Sequence, residues 1–514
     1  MNSLVFEDEI TLYWEKQWEL PDGVEYRALL NGRTVGSTLK THFSFKNLHP
    51  TTEYNVQIER LDELGDVAEV LYKATLRTLP AKRRIDVTKP PYNAVGDGKT
   101  LNTEALQRAL NDCTENDCVY LPQGMFLTGA LDMHSDSELY LEQGAILKGS
   151  ENPTDYLPKI KSRFEGIEGM CYRSLINIGE LDSKDTYTTR NIKIRGYGMI
   201  FGGGASLSWA IINEEKKRLA NYLEQNQNYV KTCENANTIP GRARGRLICI
   251  NNCENVIISG ITMGYGASWN IHFVYSRNII TYGCTILSDS WKNEDDALKM
   301  EGVQNGDGWD PDSSEDCTIF DTTFHTRDDA IAIKSGKNPE GNLINRPTKN
   351  VRIFDCRGNL RGVAIGSELS GGISDIKVWD CNFFEGKTGF VIKSTRKRGG
   401  YVRNVTVRNC DFASVRIYSY YTCNDDGESG NEITIIENIS FENIKIKGAY
   451  PYLNKSEIYF YTLELCGFDE EEYYLNNLYF KNVEIFQRED ANMQLKIKNV
   501  KNLTLENVAY KADK

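Results

Sequence analysis

Apolar and polar residues alternate in short repeated units through the second half of the chain. Each unit begins with Asn or Asp, continues with apolar residues at alternate positions, and changes the parity of those positions after an Asn, Asp or Gly. The units are NVIISGITM (255–263), NIITYGCTI (278–286), NVRIFDCRG (350–358), DIKVWDCNF (375–383), NVTVRNCDF (404–412), NISFENIKI (438–446), NLYFKNVEI (477–485) and NLTLENVAY (502–510). In one straight strand, the parity change would turn the second apolar pair outward. A corner between two short strands lets both pairs face one core.

Short strands that recur at spacings from about two dozen residues upward are typical of a solenoid. We therefore predict a right-handed parallel β-helix for residues 81–514. In this fold the opening asparagines hydrogen-bond along the stack, and the cysteines of the units are packing residues. A β-propeller is the alternative architecture, but it needs four strands per blade and a steadier period.

The first 80 residues lack these units and contain short alternating segments separated by turns. The segments are ITLYWEK, VEYRALLNG, HFSFKNL, EYNVQIERL and VLYKATLRTL, and TLPAKRRIDVTKPP forms the linker that follows. Their spacing predicts a small antiparallel β-sandwich for residues 1–80. Trp14 and the Leu-Pro-Tyr layout of residues 48–54 resemble a fibronectin type III module with its tyrosine corner.

A helix is predicted where the β-helix begins. Asn102, Thr103 and Glu104 form a candidate cap for a helix that runs through Leu106 and Leu110. Such a helix would cover the open end of the β-helix, where apolar core and strand edges are otherwise exposed.

Composition restricts the class of partner. The chain has 514 residues and a net charge of −12, which argues against a nucleic-acid partner. An anionic substrate therefore needs a local basic cluster.

The sequence also gives expectations about cellular location. No run of 18 apolar residues predicts a membrane span, and MNSLVFEDEI lacks the pattern of a signal peptide. Thirteen cysteines without CxxC pairs predict reduced thiols and a cytoplasmic protein, or a secreted one if a leader was removed. The oligomeric state stays open.

Two adjacent carboxylates introduce the candidate chemistry. In RDDAIAIKSG (327–336), Asp328 and Asp329 precede a run with period-two alternation. Neighbouring side chains on a strand point in opposite directions, so the two carboxylates converge only if the backbone turns or bulges. Asp307 lies 21 residues before Asp328, close to the length of one coil, and can stack beneath the pair. A solvated acidic turn and a calcium site are the alternatives.

Several motifs together resemble the polygalacturonase family, the family 28 glycoside hydrolases, over residues 84–510. The motifs are YNAVGDGKT (92–100), SWNIHFV (268–274), NGDGWDPDSS (305–314), RDDAIAIKSG (327–336), GVAIGSELSGG (362–372) and GFVIKSTRKRGG (389–400). The resemblance implies the parallel β-helix and places the family's Asn-x-Asp motif on Asn305 and Asp307. It also implies that Asp328 is the general acid, and that Asp307 and Asp329 activate water for inverting hydrolysis. It implies no metal and no cofactor.

The sequence departs from the family at positions that bind the leaving sugar. The usual His of a Gly-His-Gly turn is replaced by Leu360 or Arg361, depending on register. The Arg of an Arg-Ile-Lys motif is replaced by Val391, whereas Lys393 is kept, and Arg327 stands where Gly is common. Rhamnogalacturonan-cleaving relatives also lack the His and the Arg, so the resemblance implies a changed leaving-group subsite.

The substrate carboxylate needs a cation, and Lys393 is the first candidate, with Arg361 and Arg327 as helpers. The other predicted substrate-binding residues are Asn305, Trp309, Tyr418 and Tyr421. Packing is an equally good interpretation for the tyrosines, including Tyr420, and for Trp309. His272 is predicted to be structural.

The predicted function is exo-acting hydrolysis of α-galacturonosidic bonds in pectic oligosaccharides. Helical patterning in residues 205–245 suggests a segment that closes one end of the cleft. A rhamnogalacturonan-type hydrolase is the first alternative. A calcium-dependent pectate-lyase-like enzyme and a non-catalytic polysaccharide-binding β-helix are the others, and the three aspartates disfavour both.

Overall fold

The computed structural model describes residues 1–182, 186–292, 299–386, 388–430, 432–448, 461–487 and 495–512. The chain divides into two compact units, Met1–Arg84 and Ile85–Lys514. No helix in these described ranges is long and apolar enough to cross a membrane.

The first unit consists of two antiparallel sheets. Its strands are β1 Asn2–Val5, β2 Glu9–Tyr13, β3 Tyr26–Leu30, β4 Arg33–Thr38, β5 His42–Lys46, β6 Glu53–Leu61 and β7 Val67–Arg77. The strand order is β1-β2-β5 in one sheet and β4-β3-β6-β7 in the other. Alternate residues of each sheet form one apolar core that includes Trp14, Tyr26 and Phe45. The predicted small antiparallel architecture is therefore present.

The second unit is a parallel β-helix with a few helical segments. Its first strands are β8 Arg83–Asp86, β9 Asp97–Leu101, β10 Asp117–Leu121, β11 Gly124–Thr128, β12 Leu131–Met133, β13 Glu138–Leu141, β14 Ala145–Gly149, β15 Ile160–Phe164, β16 Ile167–Cys171, β17 Ile176–Ile178, β18 Thr189–Gly196, β19 Met199–Phe201, β20 Ile248–Asn251, β21 Cys253–Ser259, β22 Thr262–Gly264, β23 Ile271–Val274, β24 Arg277–Tyr282 and β25 Thr285–Leu287. The strands that follow are β26 Trp291–Lys292, β27 Lys299–Met300, β28 Trp309–Asp312, β29 Glu315–His325, β30 Ile331–Ile333, β31 Thr348–Gly358, β32 Arg361–Ile365, β33 Ile373–Trp379, β34 Asn382–Phe383, β35 Thr388–Lys393, β36 Tyr401–Phe412, β37 Val415–Tyr418, β38 Ile435–Ile446, β39 Leu463–Cys466, β40 Leu475–Gln487, β41 Leu495–Lys498 and β42 Val500–Ala512. The helices are α1 Thr103–Asn111, α2 Gly204–Arg218, α3 Ala220–Gln225, α4 Gln227–Val230, α5 Thr238–Gly241 and α6 Asn338–Ile344, with 3-10 turns at Pro153–Tyr156 and Glu471–Tyr473.

The repeated units form the corners of the coils. In unit 255–263, β21 ends at Ser259, Gly260 has a φ of 75°, and β22 begins at Thr262. Asp380 occupies the equivalent corner of unit 375–383 with a φ of 55°. Asn, Asp and Gly tolerate this left-handed conformation better than other residues do, which explains their recurrence at the corners. The parity change is thus a bend, and apolar residues on both sides of it face the core.

Successive coils are joined by parallel pairing and by side-chain ladders. The first and second strands of the units belong to a sheet of 20 strands, and the third face is an 11-stranded sheet, β12-β17-β20-β23-β28-β30-β32-β35-β37-β39-β41. Asn278 donates its side-chain amide to Asn255 at 2.7 Å, and Asn255 donates to Asn191 at 3.0 Å. These hydrogen bonds confirm the predicted asparagine ladder. All thirteen cysteines are free, and those of the repeated units are buried.

Helix α1 covers core residues as predicted, but its predicted cap is wrong. Leu106, Ala109 and Leu110 are buried in the β-helix core. Asn102 makes no capping hydrogen bond from its side chain. Its amide instead accepts from the backbone of Val95 at 2.7 Å and donates to the carbonyl of Thr100 at 2.7 Å, so it holds the preceding loop.

An aromatic stack through four coils generates a stability prediction. Tyr282, Phe320, Phe354 and Trp379 follow one another with ring centroids 5.0, 4.9 and 4.4 Å apart. Phe354→Ala should lower the free energy of unfolding by about 3–5 kcal/mol, because it leaves a cavity with a ring on each side. Chemical denaturation followed by circular dichroism measures this loss. Leu343→Ala is the control, since Leu343 is 87% exposed, and an equal loss in both variants would contradict the prediction.

Candidate active site

The three predicted catalytic carboxylates lie in two turns that precede neighbouring strands. Asp307 stands just before β28, and Asp328 and Asp329 stand just before β30. The two strands are parallel neighbours, with Trp309 opposite Ile331. The backbone amide of Gly308 donates to the carbonyl of Asp329 at 3.0 Å, which stacks one turn on the other. Parallel pairing therefore brings the carboxylates together across a sequence separation of 21 residues.

The adjacent aspartates have different cationic partners. Arg361 Nη1 lies 2.9 Å from Asp328 Oδ1 and 3.8 Å from Asp329 Oδ1. Lys393 Nζ lies 2.8 Å from Asp329 Oδ2. The side chain of Asp328 keeps 25% of its exposure, whereas that of Asp329 keeps 6%. Asp328 is thus the outer carboxylate and Asp329 the inner one, and each has a cation from a later coil.

The pKa values of Asp329 and Asp307 are set by burial and by the charges of their neighbours. Burial would raise the pKa of Asp329, but Lys393 and then Arg361 lower it below its ordinary value. For Asp307, burial raises the pKa, and Asp310, Asp328 and Asp329 raise it further against the opposing charge of Lys334. Asp329 is therefore ionised, and Asp307 depends on Lys334 for any ionised form.

Lys334, Asp310 and Glu368 belong to this site, although sequence reasoning assigned them no role. Lys334 Nζ lies 3.3 Å from Asp307, 3.4 Å from Asp310 and 3.8 Å from Glu368. It also lies 4.4 Å from the ring centre of Trp269. Alternation along the strand was the signal in the sequence, because Lys334 falls on the face of Ala332, opposite the core residues Ile331 and Ile333.

Arg244 is a fourth residue that the sequence did not reveal. Its guanidinium donates to Asn305 Oδ1 at 2.9 Å and to the carbonyl of Gln304 at 3.2 Å. Burial lowers the pKa of Arg244 to about 10. Arg244 therefore shapes the turn that carries Asp307, and it occupies the amide oxygen of Asn305. A substrate contact by Asn305 stays a prediction.

One predicted substrate contact, Trp309, needs correction, and another, Arg327, stays a prediction. Trp309 is fully buried in the core, where its indole N–H donates to Thr281 at 3.1 Å, so it does not line the cleft. The reason is register, because Trp309 is paired with Ile271 and Ile331, which also point inward. Arg327 is exposed, and its guanidinium donates to the carbonyl of Gly302 at 3.0 Å. A substrate contact by Arg327 stays a prediction.

The predicted tyrosines lie beside Lys393. The ring centre of Tyr421 is 5.2 Å from Lys393 Nζ. Tyr418 packs with Tyr421 and with an apolar strip of small residues, Ala332, Ala364 and Val391, from three successive coils. Both tyrosines therefore have packing roles, and a substrate contact by either of them stays a prediction. Tyr420 instead donates its hydroxyl to Glu464.

His272 is a structural histidine, as predicted. It is fully buried, and Nε2 lies 3.4 Å from Asp312 Oδ2. Burial lowers the pKa of its imidazole to about 4, so the ring is neutral at physiological pH. Among the residues that the structure describes, no group of three or more His, Cys, Asp or Glu is arranged to hold a metal ion.

Comparison with known families identifies the class of protein. Residues 186–449, which are 264 of the 514 residues, match the description of Glycosyl hydrolases family 28. The chain belongs to this family.

Individual relatives make the similarity more specific. An exo-poly-alpha-D-galacturonosidase of Dickeya chrysanthemi is 27% identical over 375 residues, which are 70% of this chain and 60% of the relative. A probable polygalacturonase of Vitis vinifera is 28% identical over 69% of this chain and 67% of its own length. The alignment therefore leaves about two fifths of the Dickeya relative unmatched.

Two solved structures share the fold. A Yersinia enterocolitica family 28 exopolygalacturonase superposes with a TM-score of 0.79 at 20% identity, over 100% of this chain and 97% of that one. A hyperthermoactive exopolygalacturonase from Thermotoga maritima superposes with a TM-score of 0.62 at 24% identity, over 81% of this chain and 92% of that one. At these identities the likeness shows the β-helix fold.

The buried ammonium generates a prediction about stability and pH. Lys334→Met leaves Asp307, Asp310 and Glu368 without their shared cation, and the loss of stability should be about 3–5 kcal/mol at neutral pH. The loss should be larger at pH 8 than at pH 5, because the uncompensated carboxylates must ionise as the pH rises. Urea denaturation at both pH values measures it. The matched control is Lys349→Met, which removes a half-exposed ion pair with Glu315. If the loss of stability in Lys334→Met were independent of pH, the prediction would be contradicted.

Proposed function

We propose that the enzyme hydrolyses α-galacturonosidic bonds in pectic oligosaccharides, acting from one chain end and inverting the anomeric configuration. The observation that carries the proposal is the convergence of three carboxylates with two cations, Arg361 and Lys393, at one place on the β-helix. Carboxylates supply the acid and the base of glycoside hydrolysis, and the cations suit a substrate that is itself a carboxylate. The names of the Dickeya and Vitis relatives point to the same substrate class.

In the proposed reaction, Asp328 protonates the leaving oxygen, and Asp307 and Asp329 activate water. Asp328 suits the acid role because it is the outermost of the three and reaches the substrate first. Asp329 suits a role as base because Lys393 keeps it ionised. A carboxylate that accepts a proton from water must be ionised when the substrate binds.

Lys393 is proposed to bind the galacturonate carboxylate. Its ammonium has three hydrogens to donate, so the bond to Asp329 leaves donors for the substrate. Arg361 has further donors beyond the one that contacts Asp328. The two cations thus hold the carboxylate of the substrate close to the residues that cleave it.

An alternative leaving sugar is favoured by Val391, which stands where relatives place an arginine. Val391 packs with Ala332, Ala364 and Tyr418 and is 5% exposed, whereas both alanines are fully buried. A valine offers no positive charge to a second carboxylate, so a neutral sugar suits this position better. A rhamnogalacturonan-type substrate, with rhamnose as the leaving sugar, is therefore the second candidate.

Exo action is supported by a segment that bridges the cleft-bearing sheet. The segment 202–247 leaves the β-helix after β19, carries helices α2 to α5 and returns at β20. Arg242 of this segment contacts Glu165 and Asp426, each at 2.8 Å. Tyr229 of the same segment donates to Asp426 at 2.7 Å. Since Asp426 follows β37, the segment reaches a loop that is six coils further along the sheet, and we propose that it closes one end of the cleft.

The N-terminal unit is proposed to be a fibronectin type III-like module. Its three- and four-stranded sheets support this assignment. So does the hydroxyl of Tyr54, which accepts a hydrogen bond from the backbone amide of His49 at 2.9 Å in the manner of a tyrosine corner.

Product analysis tests the reaction and the substrate. Purified enzyme with digalacturonate or a galacturonosyl-rhamnose oligosaccharide should release galacturonate, unchanged by a chelator. Asp328→Asn should lower turnover by roughly 10²–10⁴, because the general acid is lost. Asp321→Asn is the control, since Asp321 is exposed and lies on strand β29 away from the site. Near-normal turnover in Asp328→Asn would remove Asp328 from the mechanism.

The same measurement separates the alternatives. Unsaturated products that absorb in the ultraviolet and need calcium would indicate a lyase. Binding without cleavage would indicate a polysaccharide-binding protein. Strong preference for galacturonosyl-rhamnose would favour the rhamnogalacturonan-type substrate.

The segment 202–247 generates a prediction about the mode of action. Arg242→Ala removes the ion pairs of Arg242 with Glu165 and Asp426, so the closed end should loosen and longer oligogalacturonides should gain access. Early products should then shift from monomer alone toward a mixture that includes longer fragments, as chromatography of the digest would show. Arg218→Ala is the control, because Arg218 lies on the same segment but is largely exposed. An unchanged product pattern with an unchanged fold would contradict a role for the segment 202–247 in exo action.

A further inference from the structure

One ammonium serves three carboxylates in the centre of the site. Lys334 lies within 4 Å of Asp307, Asp310 and Glu368, and all four side chains are almost completely buried. Three carboxylates cannot all stay ionised around one cation in so dry a place, because like charges repel strongly where water is excluded. At least one of the three must therefore bind a proton.

Glu368 has hydrogen-bonding and charged partners besides Lys334. Its Oε1 accepts a hydrogen bond from the side-chain amide of Asn424. Burial would raise its pKa, but Lys334 and then Arg398 lower it below the ordinary value. Glu368 is therefore ionised, and the proton is left to Asp307 and Asp310.

Asp310 is the carboxylate with the fewest partners. It is fully buried, and within the described ranges neither of its oxygens accepts a hydrogen bond of ordinary geometry; its nearest cation is Lys334 at 3.4 Å. It points outward from β28, between His272 on the preceding coil and Ala332 on the next. The titratable and charged groups that face it are Asp307, Asp329, Lys334, Glu368, Asp312 and His272.

We propose that Asp310 is a positioning residue of the catalytic centre, which competes with Asp307 for Lys334 and so sets the pH above which Asp307 is ionised. The proposal rests on the proposed role of Asp307 in activating water. Asp310 itself does not touch the substrate, because it lies beneath the surface of the cleft.

The directions of titration agree with this competition. Burial raises the pKa of Asp310 to about 7 against the opposing charge of Lys334. Burial also raises the pKa of Asp307, and the charge of Asp310 raises it further. Two carboxylates this close titrate as a pair, so Asp307 gives up its proton at a higher pH than an ordinary aspartate does.

The experiment is the pH profile of kcat/KM for Asp310→Asn. The amide removes the competing charge of Asp310 and leaves Lys334 to Asp307 and Glu368, so the pKa of Asp307 falls. The acidic limb should move to lower pH by about one unit, which is roughly a tenfold gain in relative kcat/KM at pH 5. Glu464→Gln is the matched control, because Glu464 is a fully buried carboxylate on the same sheet that pairs with Arg416. An acidic limb that stays in place in Asp310→Asn, or that moves equally in Glu464→Gln, would overturn the proposal.

A second measurement needs no substrate and keeps the proposal apart from the proposed reaction. A carboxyl whose folded-state pKa is raised stabilises the fold at low pH, and this stability is lost as the pH rises through the folded-state value. The wild-type protein should therefore lose stability between pH 5 and pH 8, and Asp310→Asn should lose less. If the wild-type protein and Asp310→Asn lose the same stability over this range, the proposal fails, even if the enzyme cleaves pectic substrates. Absence of cleavage with the expected difference in stability would instead reject only the proposed function.

A third variant covers the case in which Asp310→Asn does not fold. Asp307→Asn removes the charge of Asp307 and leaves Lys334 to Asp310 and Glu368. The infrared carbonyl band of a protonated carboxyl should be present in the wild-type protein at pH 6 and absent from Asp307→Asn. A band that persists unchanged would show that Asp310 is protonated through burial alone, and the competition would be refuted.

Discussion

Parallel pairing between coils is the constraint on which the catalytic centre depends. Neighbouring strands lie about 4.8 Å apart, so the turns before β28 and β30 must stack, and their carboxylates must be neighbours. No hydrogen bond between the carboxylates is needed to bring them together, because the backbone does so. The cost is electrostatic, since three acidic groups are concentrated where the fold also excludes water.

The fold meets that cost with cations from successive coils. Lys334 follows β30, Arg361 begins β32 and Lys393 ends β35, so each lies on the same sheet as the carboxylates. Asp328 pairs with Arg361, Asp329 with Lys393, and Asp307 with Lys334. The first two pairs are balanced one to one. The third is not, because Asp310 and Glu368 share the same ammonium. This imbalance is the reason why one carboxyl group near Lys334 carries a proton.

The loops outside the β-helix are held by a similar arrangement of charge. Asp426 forms ion pairs with Arg242 and Lys337 and accepts a hydrogen bond from the hydroxyl of Tyr229. These groups come from parts of the chain that are far apart in sequence. The strongly lowered pKa of Asp426, which Arg242 and Lys337 produce against the effect of burial, keeps this centre ionised. A charge that is paired from several sides holds a bridging segment more firmly than exposed ion pairs do. The proposed closed end of the cleft therefore depends on a few buried contacts.

The sequence by itself determined the coils, the asparagine ladder and the identity of the aspartates, because these features repeat at a fixed spacing or belong to a local motif. The tertiary structure decided which way the side chains between the motifs point. Trp309 follows the turn that carries Asp307, and a period of two cannot be counted through a turn, so only pairing with Ile331 showed that it faces the core. Asn102 has the sequence of a helix cap, but the loop at Val95 is a better partner for its amide. Lys334 and its three partners lie on three different coils, and the charge balance that makes Asp310 important exists only when those coils are stacked.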